Sequence, residues 1–179
     1  MLGPYVGTSI FVWSSIIGII LFSLSLGYYI GGRVADSIPK YSMLSIIIFT
    51  AAIFMLFSVL LKSFLLDFLL NHIQSVKAIA ILSSMLLFSP PAIFLGMVSP
   101  FAVRLKIRSL NTSGATAGHL YAISTLGSIM GTFLSGFYLI PAFTITGILL
   151  KMALLLLISS VVLFLVYYKS DAISNLDKI

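Results

Sequence analysis

From Thr8 to Ile30 the chain runs for 23 residues without a single charge, and it closes on Gly31-Gly32-Arg33-Val34-Ala35-Asp36. At about 1.5 Å per helical residue this run is long enough to cross a hydrocarbon core of ~30 Å. Lipid offers no hydrogen bonds to a backbone, so a run of this kind has to satisfy its own peptide groups, and a helix does that alone. The expected element is a transmembrane helix with a charged turn at its end.

The rest of the chain follows the same rule. Hydrophobic residues make up 60% and charged residues 8%, with a mean hydropathy of +1.22, far from the balance of a soluble domain. No Lys or Arg precedes the first apolar run and no small-residue cleavage pattern follows it, so that run is expected to be a permanent span. Cysteine is absent, which removes disulfides, thiolate chemistry and Cys-based metal sites from consideration. The net charge of +6 does not point to nucleic acid, because the basic residues stand singly at span ends, where they orient helices and meet anionic headgroups. No cofactor and no metal is expected.

Five apolar runs are candidates for spans: Thr8–Ile30, Tyr41–Leu61, Ala78–Val103, Gly118–Ile140 and Thr144–Tyr168. The expected organisation is a helical transmembrane domain over residues 1–168 and a short cytoplasmic tail over 169–179. Between the second and third runs, Ser63, Asp67, Asn71 and Gln74 recur at helical spacing. That pattern fits a short interfacial helix over 63–76, or a second span that runs on and kinks.

Arg33, Lys40, Arg104, Lys106, Arg108, Lys169 and Lys178 fall on one side of the spans, against Lys62 and Lys77 on the other. The excess of positive charge places the first group in the cytoplasm, with the N-terminus outside and the C-terminus inside. Ser23, Gly27 and Gly31 lie four apart on one face of the first span, and Gly127, Gly131 and Ser135 do the same in the fourth. Faces of this kind let helix backbones approach closely. If the two occupy equivalent places in two three-helix repeats, one helix is missing before the first span, and the expected fold is all-α, an incomplete six-helix half lacking its first helix. The two striped helices are expected to seat against each other or against a partner, as a homodimer or with a separate subunit.

Gly32-xxx-Asp36 resembles the cytoplasmic loop motif of major-facilitator transporters, and Arg33 belongs to the same turn. A longer resemblance covers roughly Gly3 to Pro141. GPYVGTSIFVWSSIIGIILFSLSLGYYIGGRVADS, SPPAIFLGMVSPFAVRL and GHLYAISTLGSIMGTFLSGFYLIP are similar to the transmembrane domain of spermidine synthase-like membrane proteins. In that family a facilitator-like helical region is often fused to a soluble aminopropyltransferase-type domain, and a further helix precedes the PYxGTS segment. Where family members often carry Asn before Thr, this chain has Ser124. The resemblance implies a membrane module tied to polyamine chemistry. Aminopropyl transfer needs a Gly-rich Rossmann-like loop and acidic residues. This sequence has four acids and no Glu, so the chain is not expected to be the enzyme by itself, and no catalytic residue is assigned.

Several residues carry two readings. Asp36 shares the expected cytoplasmic face with Arg104 and Arg108, as a salt-bridge latch between repeats or as solvated loop charges. Pro90, Pro91, Gly96 and Pro100 interrupt the third span, as a packed kink or as the lining of a pathway. Lys151 lies inside the fifth span and can snorkel to its outer end. His119 opens the fourth span as a cap or interface residue, with His72 on the opposite side. Ser135-Gly136 lacks the GxSG pattern of intramembrane serine proteases and cannot meet His119 on the same helix, which rules that chemistry out. Two functions remain: a non-catalytic membrane anchor or conduit for a separate aminopropyltransferase-like subunit, and a half-size facilitator-like transporter of small solutes working as a dimer.

Overall fold

In a computed structural model the backbone is described over residues 10–107 and 113–176, with side chains through Tyr167. The described residues form five long helices: α1 (Ile10–Ser37), α2 (Tyr41–His72), α3 (Val76–Lys106), α4 (Ser113–Ala142) and α5 (Ile145–Leu176). All five are long and apolar enough to cross a membrane. The fold is all-α.

The helix ends differ from the sequence expectation in ways that local chemistry explains. The first span does not stop at Gly31. Helix α1 continues through Gly32, Arg33 and Asp36 to Ser37, so these residues form the last helical turns and not a loop. The Ser37 hydroxyl donates to the Arg33 carbonyl at 3.0 Å, and the Ile38 N–H donates to Val34 at 2.9 Å. The helix ends at Ile38-Pro39, where the proline ring disfavours helical geometry in the residue before it. Of the two readings for residues 63–76, the second span that runs on is the one found, and there is no separate interfacial helix. Helix α2 runs on to His72, and only residues 73–75 link it to α3. Leu66 and Leu69 explain the continuation, since they are buried beside Val12 of α1 and Ile79 and Ala80 of α3. The tail expected to begin at Lys169 is helical through Leu176.

Helix α3 is the centre of the bundle. It packs along α1 on one side and against α2 on the other, while α2 also carries α5. Helices α1 and α3 run parallel in one register along their length. Phe11 meets Lys77, Ser23 meets Ser89, Gly27 meets Ile93, Gly31 meets Met97, and Asp36 meets Arg104. Helices α2 and α5 run antiparallel, through Tyr41 on Tyr167, the Ser45 carbonyl with the Ser160 hydroxyl at 2.9 Å, and Lys62 with the Thr146 hydroxyl. Two apolar clusters close the core. One joins Val12, Leu66, Ile79 and Leu87, and the other joins Ala35, Leu44, Ile47, Met97 and Phe101.

Helix α4 stands apart from this core. It touches α3 over a small area and has no buried residue. Its Leu134–Leu139 stretch widens into a π-helical turn, with the Ile140 N–H bonded to the Ser135 carbonyl. Pro141 supplies the reason: it has no N–H for the Phe137 carbonyl, and its ring crowds that oxygen, so a wider turn relieves the clash.

Candidate functional site

The face of α1 that carries Ser23, Gly27 and Gly31 is buried, and Ala35 extends it by one more turn. It lies against Ile93, Gly96 and Met97 of α3. A methyl group on Gly27 would run into the Ile93 carbonyl oxygen and stand 3.0 Å from the Gly96 Cα. One on Gly31 would stand 2.6 Å from the Met97 Cα, and one on Gly96 would stand 2.9 Å from the Leu24 carbonyl oxygen. Each obstacle is backbone, which cannot rotate away. The two helices therefore touch main chain to main chain, the geometry that small residues four apart allow.

Gly96 is thus the counterpart of the α1 stripe. Of the two expected seatings for the α1 and α4 stripes, against each other or against a partner, the first is not found, because α3 fills the α1 face along its length. Gly127 and Gly131 are exposed and meet nothing within 4 Å of where a Cβ would stand, and Ser135 is half-buried. The reason is positional: α4 follows α3 at its basic end and packs on it mainly there, so that Gly127 and Gly131 have no close neighbour among the described residues.

At the basic end, Arg104 Nε donates to Asp36 Oδ1 at 2.8 Å, joining the ends of α3 and α1. Their side chains are 45% and 73% exposed. An exposed pair of this kind contributes about 0–1 kcal/mol, so it trims the α1–α3 register more than it holds it. Arg33 is placed elsewhere, with its guanidinium 4.5 Å from the Tyr29 ring centre, and Gly32 faces open space. Arg108 lies outside the described residues.

Pro90 and Pro91 of α3 sit in a packed setting. Pro91 is buried, and the carbonyl its missing N–H leaves free belongs to Leu87. The Ser58 hydroxyl of α2 donates to that carbonyl at 2.6 Å. Next to it, the Ser23 hydroxyl lies 2.8 Å from Ser89 Oγ across the α1–α3 seam. A break in a membrane helix survives when neighbouring hydroxyls take over the freed groups, and Ser58 does so here. Ser84 Oγ is the buried side-chain polar atom without a partner among the described residues.

Pro100 belongs to a different environment. Together with Tyr28, Ser99, Tyr121, Ser124 and Thr125 it lines a cavity of about 350 Å³ between α1, α3 and α4, with hydroxyl groups from all three helices. At the far end, Lys62 bonds the Thr146 hydroxyl, and Lys77 and Lys151 lie over the rings of Phe11 and Phe143. These lysines are held by local partners, as snorkelling side chains are.

Sequence reasoning had no means of finding Ser58, because one serine in an apolar helix looks like any other. Ala35 was reachable, since Ser23-Gly27-Gly31-Ala35 continues a spacing of four. Together, the five helices and their packing define a multi-pass membrane protein of helical class. Comparisons with models of known families, with curated proteins and with solved structures find no match for the chain.

Proposed function

We propose that this protein is a non-catalytic membrane module that assembles through α4 with a separately encoded subunit. The observation that carries this reading is the contrast between two similar faces: the small-residue face of α1 is filled, and Gly127 and Gly131 on that of α4 meet nothing within 4 Å among the described residues. A helix with Gly127 and Gly131 bare along one side is suited to a close approach by another helix. The π-helical turn at Leu134–Leu139 lies on the same helix, and turns of this type are frequent at functional positions. The resemblance to spermidine synthase-like membrane domains supports an aminopropyltransferase-like subunit as the partner, with this chain as its anchor or as a conduit for polyamine. The distribution of Lys and Arg supports a cytoplasmic basic end, with the N-terminus outside and the C-terminus inside.

The hydroxyl-lined cavity between α1, α3 and α4 favours a second reading, a half-size transporter of small solutes in which a second copy closes the open side. Purification from the native host in mild detergent, followed by mass spectrometry of what co-purifies, tests both. A stoichiometric aminopropyltransferase-like protein supports the first reading. A defined dimer of this chain alone supports the second, and a bare monomer contradicts both.

A further inference from the structure

At the basic end, a cavity of about 470 Å³ opens between the start of α2, the end of α3 and the start of α4. Its polar lining consists of the Tyr41 phenol, the Lys106 ammonium, the Thr116 hydroxyl and the His119 imidazole. Leu105, Ala115 and Leu120 supply an apolar wall. Thr116, His119 and Leu120 share one face of α4, because residues three and four apart on a helix lie side by side. Tyr41 is held from behind by Tyr167 of α5, ring on ring at 4.1 Å. Leu105 is seated in the core cluster around Met97 and Phe101, which fixes the last turn of α3.

Among the described side chains the charge in this cavity is unbalanced. Among the described side chains the acids are Asp36 and Asp67. Asp36 is bound to Arg104, and Asp67 lies near the end of α2 remote from Tyr41. Neither Lys106 nor His119 has a side-chain hydrogen bond or ion pair among the described residues. The four polar groups can all donate hydrogen bonds, and no carboxylate among the described side chains lines the cavity with them. A cavity lined by donors, with one fixed positive charge and no acid among the described residues, suits a tetrahedral oxyanion, whose oxygens accept several bonds at once. The volume lies within the ~300–1,000 Å³ of small-molecule sites. The cavity also sits where the apolar part of α3 gives way to Arg104 and Lys106, the level at which a bilayer presents its phosphates.

We propose that the Tyr41–Lys106–Thr116–His119 cavity binds the phosphate group of an anionic molecule at the membrane surface. A lipid headgroup or a soluble phosphate supplies the same chemistry. This inference does not depend on what occupies α4, so its failure leaves the assembly reading intact.

The test measures binding to the purified full-length protein by native mass spectrometry, with phosphatidylglycerol, phosphatidylcholine and inorganic phosphate in separate arms. Removing one charged donor from a phosphate site is expected to weaken binding about tenfold. Lys106→Gln should therefore lose about that much, Lys106→Arg should keep most of the binding, and Lys77→Gln at the far end should change nothing. Preference for phosphatidylglycerol over phosphatidylcholine with no response to inorganic phosphate assigns the site to a lipid headgroup. Saturation by inorganic phosphate assigns it to a soluble ligand. Equal binding of both lipids with no response to phosphate overturns the proposal, as does an equal loss in Lys106→Gln and Lys77→Gln. If Lys106→Gln does not fold, Thr116→Val removes a donor without touching charge, and unchanged binding by that variant counts against the site.

Discussion

The α1 face built on Ser23, Gly27 and Gly31 and the α4 face built on Gly127, Gly131 and Ser135 share a spacing and differ in what lies in front of them. Helix α3 fits the first because it carries Gly96 opposite Gly27, Ser89 opposite Ser23 and Arg104 opposite Asp36, all in one parallel register. Nothing among the described residues offers the second a matching set. Small residues four apart permit close approach, and the complement on the neighbouring helix decides where it happens.

The largest effect that can break this comparison is a bulky side chain on the filled face. Gly27→Leu would have to displace the Ile93 backbone, and overpacking of this kind costs about 1–3 kcal/mol or more. The expected outcome is a large loss of folded protein in a thermal unfolding assay in detergent. Gly131→Leu should leave the unfolding of the isolated chain within about 0.5 kcal/mol, as exposed substitutions usually do, while abolishing recovery of any partner. Equal destabilisation by the two variants would erase the distinction between the faces.

A smaller effect sharpens the account of the filled side. Ser58→Ala leaves the Leu87 carbonyl beside Pro91 without its donor, and hydrogen bonds between membrane helices are worth about 0.6 kcal/mol on average, reaching about 1.7. A loss of about 1 kcal/mol is expected, against no change for Ser15→Ala, whose hydroxyl bonds only its own helix at the Phe11 carbonyl. The smallest effect belongs to Asp36→Asn. Its pair with Arg104 is exposed, so the loss should stay below about 1 kcal/mol and fade as salt is raised.

The five helices were legible in the sequence because a bilayer demands long uncharged runs, and such runs are visible without knowing any contact. Their ends were less so. Gly32, Arg33 and Asp36 look like a turn in a sequence, yet nothing forces the helix to stop before Pro39. Ser63, Asp67, Asn71 and Gln74 look like the polar side of a surface helix, while Leu66 and Leu69 keep α2 going by packing on α1 and α3. Pairing was the least legible. Gly96 stands among three prolines and reads as part of a break, and only the register of α1 on α3 shows it as the complement of Gly27. The Lys106 cavity was equally hidden, since its residues come from three helices that are far apart in sequence.

The proposed assembly through the open face of α4 can be tested directly. The chain has no cysteine, so a single Gly131→Cys variant reports on that face without background. Thiol-directed crosslinking in native membranes should give a defined product from Gly131→Cys, and none from Leu165→Cys on the 69% exposed side of α5. If both variants stay monomeric, or crosslink alike, the two faces do not differ in the way described and the claim fails.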